Sequence, residues 1–198
     1  MSEGSGWTVA APGGETGRRA GGPVTPLDYA RWYVRQGVSV LPVRADGSKA
    51  PALKAGSIEQ YRERFATDDE LADWFAPNKA VGIGLVCGKL SGNLAVLDFE
   101  TAAVWEQWLA RVTAAGGHLK AAVSLSPIVK TPNGGRHLYC RISETWVAGQ
   151  VFAKRASKVV LIESRGQGHY VVCPGSPPAC HPSNVRYEFE SKGWLENG

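Results

Sequence analysis

Three carboxylates on apolar, strand-like runs are the residues of this chain best suited to chemistry. Asp98 and Glu100 stand two apart in AVLDFE, and Glu163 follows the apolar residues of VVLIES. Side chains two apart on a strand point to the same face, so Asp98 and Glu100 project together while Phe99 packs on the other side. Two negative charges at the end of a hydrophobic run are costly unless a cation neutralises them. The pattern predicts a site for Mg²⁺ or Mn²⁺, which prefer carboxylate oxygens.

Glu163 would complete this site from another strand. Three carboxylates can hold two ions roughly 4 Å apart, the spacing that nucleotidyl transfer needs. The alternative is that these acids are ordinary surface residues at strand ends, because the Asp-x-Glu pattern is common by chance.

The segment TPNGGRHLYC presents possible phosphate ligands. Its glycines would let backbone amides approach an anion closely, and Arg136 and His137 would place donors just beyond the turn. A histidine that donates to a phosphate oxygen positions a nucleotide without binding the metal. The alternative is an ordinary hairpin with a core histidine.

Three further residues are candidates for contact with a nucleoside triphosphate. Arg165 lies two residues after Glu163 and can extend from the same strand face. Ser176 follows Pro174 and Gly175 and offers a hydroxyl, while Lys49 stands in the loop DGSKAP. The alternatives are a common polar turn in SRGQGH, a second turn that starts at Ser176, and an exposed loop lysine without a specific role.

Helices and strands alternate in the first half of the chain. Capping patterns and apolar spacing predict helices in TPLDYARWYVRQG, TDDELADWF and TAAVWEQWLARVTAAGG, the last with a core stripe of Val104, Trp108 and Leu109. Strands are predicted in VSVLPV, KAVGIGLVCG and LAVLDFE.

The second half of the chain is predicted to consist mostly of β-strands. Runs rich in β-branched and aromatic residues, bounded by Gly, Pro and Asn, predict strands in AAVSLSPIVKT, GRHLYCRI, KVVLIES, HYVVCP and NVRYEFES. The last alternates so that Val185, Tyr187 and Phe189 share a face. This order indicates an α+β fold with antiparallel or mixed sheets.

Composition bounds the organisation of the chain. With 198 residues, of which 43% are hydrophobic, it can bury one core, and we expect a disordered leader over residues 1–25 and one catalytic domain over residues 26–198. The sequence contains no apolar run that could span a membrane and no signal peptide, so a cytoplasmic location is expected. A net charge of +4 permits binding to a polyanion without demonstrating it.

The four cysteines are scattered, which indicates reduced thiols rather than a disulfide framework. Cys173, Cys180 and His181 offer an alternative zinc site, although the chain has no C-x-x-C pair to support it.

Taken in order, these segments resemble the bifunctional DNA primase/polymerase (prim-pol) domain of the archaeo-eukaryotic primase superfamily. The resemblance covers roughly residues 26–176 and rests on Gly37 to Pro42, Lys49-Ala50-Pro51, the Thr67 to Glu70 helix start with Trp74, VGIGLVCGKLSGNLAVLDFE, KTPNGGRHLYCR and ESRGQGHYVVCPGS. It implies a two-part core, with an N-terminal α/β unit, a C-terminal unit like an RNA-recognition module, and the catalytic cleft between them.

The resemblance also implies roles for individual residues. Asp98, Glu100 and Glu163 would be the metal ligands, His137 the nucleotide-contacting histidine, and Arg165, Ser176 and Lys49 neighbours of the incoming nucleotide. Two departures stand out: Glu163 occupies a position where the family usually has Asp, and His169 one where it has Gly.

The expected activity is template-directed nucleotidyl transfer in plasmid, phage or mobile-element replication. The expected partners are nucleoside triphosphates, single-stranded or primed DNA and a downstream helical or helicase domain or partner. Arg62, Arg64, Lys154 and Lys158 would follow the template backbone. A non-catalytic nucleic-acid-binding module and a metal-dependent nuclease are the alternatives.

Overall fold

The computed structural model describes residues 23–54, 56–143 and 149–197. The predicted leader therefore lies outside the described residues, except for its last three positions. The described part contains four α-helices and nine strands: α1 Pro26–Arg35, β1 Val40–Arg44, α2 Asp68–Trp74, β2 Val81–Val86, β3 Leu94–Phe99, α3 Ala102–Ala115, α4 Gly117–Leu125, β4 Ile128–Lys130, β5 Arg136–Arg141, β6 Val151–Lys154, β7 Val160–Arg165, β8 Tyr170–Val172 and β9 Glu188–Ser191.

The first two helices begin where their capping residues predict. The Thr25 hydroxyl accepts a hydrogen bond from the Asp28 amide, and the Asp28 carboxylate accepts one from the Thr25 amide. Thr67 and Glu70 make the same reciprocal pair at the start of α2. Each pair satisfies amide groups that a helix start leaves without partners.

The strands form two sheets in which the described pairings are antiparallel. A three-stranded sheet has the order β1-β2-β8, and a six-stranded sheet has the order β6-β7-β3-β5-β4-β9. Antiparallel sheets with helices packed on them confirm the α+β class. In the six-stranded sheet β3 lies between β5 and β7, which places the three strands with candidate site residues side by side.

The two faces of the six-stranded sheet have different neighbours. Phe99 and Leu138 point to one face, where they pack against Trp105 and Val112 of α3 and Val123 of α4. On the other face, Val96 and Tyr139 join the larger core built around α1, β1 and β2. Asp98 and His137 continue this second face beyond the core.

The structure corrects two sequence predictions and adds residues to a third, the core stripe of α3. The segment AAVSL is the end of helix α4 rather than a strand, since the good helix formers before it extend the helix until Pro127 stops it. The most buried residues of α3 are Trp105 and Val112, with Val104, Trp108 and Leu109 packed beside them. Val185 is exposed, because β9 begins only at Glu188.

No helix in the described ranges combines the length and the apolar character needed to cross a membrane.

Candidate active site

The predicted acids converge at one point of the six-stranded sheet. Asp98 on β3 is the register partner of Glu163 on β7, and Glu100 follows two residues after Asp98. One carboxylate oxygen from each of the three residues lies within 4.8 Å of the others. Within the described ranges, no other group of three His, Cys, Asp or Glu residues reaches this spacing. Residues distant in the chain thus form a single oxygen-donor cluster.

The electrostatics of the cluster favour a bound cation. Burial raises the pKa of Asp98, against the opposing charges of Arg165 and Lys49. Burial, followed by repulsion from Asp98 and Glu163, raises the pKa of Glu100. Carboxylates that repel one another in a partly desolvated place are stabilised by a divalent ion, and an all-oxygen donor set suits Mg²⁺ or Mn²⁺. The residues present therefore fit such an ion.

His137 lies on the other side of Asp98, as its register partner on β5. Its Nε2 is 3.5 Å from Asp98 Oδ1. Burial, helped by the charges of Lys49 and Arg165, lowers the pKa of His137 to about 3. The contact is therefore one between a neutral imidazole and a carboxylate, not an ion pair. Nδ1 of the same ring is buried and has no hydrogen-bond partner among the described residues.

A cavity of about 470 Å³ opens beside Asp98 and His137. Asp98 and Arg165 both line this cavity, and Arg165 also contacts the Glu163 carboxylate. The remaining wall comes from the loop after β1 and from the segment leading into β8, including Ser48, Lys49, His169 and Tyr170. Both sheets therefore contribute to the cavity.

Lys49 is held in an unusual backbone conformation at this cavity. Its φ is +59°, in the left-handed region that non-glycine residues rarely adopt. The Tyr170 hydroxyl donates a hydrogen bond of 2.8 Å to the Lys49 carbonyl, which fixes the loop against the three-stranded sheet. Such a conformation persists where surrounding contacts enforce it, often at functional sites. Lys49 also borders a smaller recess with Glu100, Thr131 and Asn133.

The loop before β5 needs glycine at position 135 for a steric reason. A Cβ at this position would lie 2.0 Å from the Phe99 carbonyl oxygen and 3.0 Å from the Glu100 backbone. The loop therefore packs directly on the end of β3, next to the acid cluster. Gly134 has a φ of +83° but open space around it. Gly135 thus permits the close backbone approach, and Gly134 permits the left-handed turn.

Two predicted nucleotide ligands are not brought to the cavity. Arg136 points to the opposite face of the sheet from His137, where its Nε donates to Glu190 at 2.6 Å. Ser176 is buried, and its hydroxyl accepts a 2.9 Å hydrogen bond from the Ile83 amide on β2. In this structure both residues hold the fold together.

The basic residues suggested for the template have different surroundings. Arg64 is bound to the Glu70 carboxylate, and Arg62 donates to the Gly168 carbonyl at 2.7 Å. Lys154 and Lys158 lie on the β6–β7 hairpin.

The cysteines are free thiols in the described part of the chain. Burial raises the pKa of Cys173, whose Sγ lies 3.4 Å from the Ile83 carbonyl oxygen. His181 Nδ1 contacts the Ser183 hydroxyl at 2.7 Å.

Tyr187 is a site residue that the sequence did not reveal. Its ring lies 5.7 Å from the His137 ring and 6.1 Å from the His181 ring, and it borders both the cavity and the smaller recess. Alternation in NVRYEFES predicted that Tyr187 is buried, but no local signal placed it beside His137. The contact depends on the pairing of β4 with β9, which joins distant parts of the chain.

Carboxylates from two adjacent strands, a buried histidine and cations beside a cavity define a candidate metal-dependent phosphate-chemistry site. The sequence model of the family described as bifunctional DNA primase/polymerase, N-terminal, matches residues 30–196. The chain therefore belongs to the Prim-Pol family, which indicates DNA primase/polymerase activity. A search of curated proteins returned no match.

Proposed function

We propose that this chain catalyses template-directed nucleotidyl transfer, as a DNA polymerase, a primase or both, in the replication of a plasmid, phage or mobile element. The observation that carries the proposal is the convergence of Asp98, Glu100 and Glu163 beside His137. Family membership supports the reaction class, and the geometry supports the location of the reaction.

Asp98, Glu100 and Glu163 would hold the divalent ions. When bound, two such ions favour ionisation of the attacking 3′-hydroxyl and neutralise the triphosphate and its leaving group. The acids themselves fix where those charges lie, because two of them extend from paired strands that cannot move independently. This rigidity is what a pre-organised site requires.

The cavity beside the acids would receive the nucleoside triphosphate. Arg165 and Lys49 place positive charge along its wall, where phosphate oxygens would find partners. The neutral His137 can donate one hydrogen bond, and the residue lines this cavity beside Asp98.

The position of the cavity supports the two-part core implied by the sequence resemblance. Lys49 and Tyr170 come from the three-stranded side, while Asp98, His137 and Arg165 come from the six-stranded sheet. We assign the first side to the N-terminal unit and the second to the unit like an RNA-recognition module.

Primer extension tests the proposal against its alternatives. The full chain is incubated with Mn²⁺, nucleoside triphosphates and a 5′-labelled primer on a longer template. It is incubated separately with an unprimed template and labelled nucleoside triphosphates. A lengthened primer supports polymerase activity, a labelled product on the unprimed template supports primase activity, and a shortened primer indicates a nuclease. DNA binding without any change in the primer would support the non-catalytic alternative.

The double variant Asp98→Asn/Glu100→Gln serves as the control for contaminating polymerase. It keeps the size of both side chains while removing their charges. Incorporation should fall to background although the circular dichroism spectrum is unchanged. Undiminished incorporation by the folded double variant would refute the proposed site.

A further inference from the structure

The hairpin formed by β6 and β7 combines positive charge with exposed apolar side chains. Residues 151–159, which we call the basic hairpin, contain Lys154, Arg155 and Lys158 and no acidic residue. No ion pair joins these cations to a described acidic residue. Phe152 is 52% exposed, with Val151 and Val159 also exposed. These three side chains belong to neither core cluster.

The basic hairpin begins beside the acid cluster. β6 is the outermost strand of its sheet in the described order, and Val151 is the register partner of Glu163. Val151 therefore lies on the same face as Asp98 and Glu163, one strand further out, and neighbouring strands are about 4.8 Å apart. From Glu163 to Lys158 the chain runs five residues, or about 17 Å along an extended strand. The charged tip thus lies a few nucleotides' length from the acids.

The turn of the basic hairpin places a lysine where the backbone favours glycine. The Arg155 amide donates to the Val159 carbonyl at 2.8 Å, and the Lys158 amide donates to the Arg155 carbonyl at 2.9 Å. Lys158 has a φ of +65°, at the position of a three-residue hairpin loop that glycine usually occupies. Local stability does not select lysine there, so its charge needs another reason.

We propose that the basic hairpin binds single-stranded DNA and guides the template strand towards the acid cluster. Phe152 would stack on a base, while Lys154, Arg155 and Lys158 contact phosphates, the combination by which proteins bind single strands without reading sequence. Charge complementarity favours a polyanion, because the basic hairpin carries three cations and no acidic residue. Its start beside Glu163 favours nucleic acid over an acidic protein. The identity of the bound strand as template rests on the proposed function.

Fluorescence anisotropy with a labelled 20-mer of deoxythymidine tests this inference on the full chain, in EDTA and without nucleotide. Phe152→Ala should weaken binding about tenfold, as expected for one lost stacked base. Lys154→Gln/Lys158→Gln should weaken it further and reduce the salt dependence, by about 0.7 in log–log slope for each lost phosphate contact. Lys158→Gly should weaken binding without lowering the melting temperature, a result that a structural role would not give.

The matched control lies on helix α4, outside the basic hairpin. Leu119→Ala/Lys120→Gln removes an exposed apolar residue and an exposed cation from α4, and it should bind the oligonucleotide as the wild type does. Wild-type affinity in the hairpin variants would overturn the inference, as would binding of an acidic peptide but not of DNA by the wild type.

The test separates this inference from the proposed function. Asp98→Asn should bind the oligonucleotide normally while incorporating no nucleotide. If the wild type binds DNA through the hairpin but never extends a primer, the DNA-binding surface is supported and the polymerase proposal is refuted. If the hairpin variants keep their DNA affinity and extend primers normally, the polymerase proposal is supported and the hairpin inference is refuted.

Discussion

Asp98 and Glu163 are direct register partners on the antiparallel strands β3 and β7. Directly opposed residues on such strands point to the same face and lie about 5 Å apart between their Cβ atoms. Like charges in this arrangement destabilise a sheet. The pair is therefore a cost to folding that a bound cation would offset, and it forms the centre of the proposed site.

Substitutions of Glu163 should separate the effect of its charge from that of its length. Glu163→Gln removes the charge and should lower incorporation by about 100-fold or more, as the loss of one pre-organised electrostatic contact does. Glu163→Asp keeps the charge but retracts it by one methylene, so it should retain more activity than Glu163→Gln. Primer extension under initial-rate conditions measures both variants.

Glu190→Gln is the control for this series, because Glu190 pairs with Arg136 on the opposite face of the sheet. It should extend the primer at the wild-type rate. Equal activities of Glu163→Gln and the wild type would show that Glu163 does not serve the reaction.

Lys49 should contribute to triphosphate binding rather than to folding. Lys49→Met keeps most of the side-chain length but removes the charge at the cavity, so we expect the KM for the nucleotide to rise about tenfold, the effect of losing about 1.4 kcal/mol of charged contact. The melting temperature should stay within about one degree, because an exposed substitution of this kind changes stability little. Lys54→Met, at an exposed position of the same loop region, should leave KM unchanged. An unchanged KM in Lys49→Met would remove Lys49 from the site.

Gly135 should be essential for the geometry of the acid cluster. Gly135→Ala drives a methyl group into the Phe99 carbonyl, and we expect it to lower the free energy of unfolding by about 2 to 3 kcal/mol and to reduce incorporation. Gly134→Ala introduces only left-handed strain, which costs about 1 to 2 kcal/mol, and should spare the reaction. Urea denaturation and primer extension on both variants make the comparison. Equal effects of the two substitutions on activity would contradict the close approach described here.

Local patterns of the sequence predicted much of this fold. The capping pairs of Thr25 and Thr67 set both helix starts, and the alternation in LAVLDFE placed Asp98 and Glu100 on one face. These features depend on neighbours within a few residues. The helix over AAVSL was missed because short apolar runs suit either a helix or a strand, and tertiary packing of Val123 decides between them.

Features that depend on strand pairing were harder to predict from the sequence. The carboxylates meet only because β3 pairs with β7, and Tyr187 reaches His137 only because β9 pairs with β4. Arg136 illustrates the limit most clearly. It is adjacent to His137 in the sequence, but strand alternation sends its side chain to the other face of the sheet.

Stability at low pH should depend on Glu70. Hydrogen bonds from Arg64 lower the pKa of Glu70 to about 2, from an ordinary value of 4.5. Because the pKa in the folded state is the lower one, the contribution of Glu70 is complete above about pH 4.5 and is lost as the pH falls towards 2. Glu70→Gln should therefore be less stable than the wild type at pH 7, by about 1 kcal/mol after allowance for solvent screening of a partly exposed pair.

Urea unfolding followed by circular dichroism between pH 7 and pH 2.5 measures this difference. The gap between Glu70→Gln and the wild type should narrow as the pH drops below 4.5. A gap that stays constant over the whole range would show that the Arg64 contact does not stabilise the ionised form.

The most direct measurement of the central claim is a Mn²⁺ titration of the full chain, followed by electron paramagnetic resonance of the free ion in the presence of a nucleoside triphosphate. The wild type should remove Mn²⁺ from solution beyond what the triphosphate alone binds, and Asp98→Asn/Glu100→Gln should lose that additional binding while remaining folded. Identical Mn²⁺ binding by the wild type and the folded double variant would contradict the account.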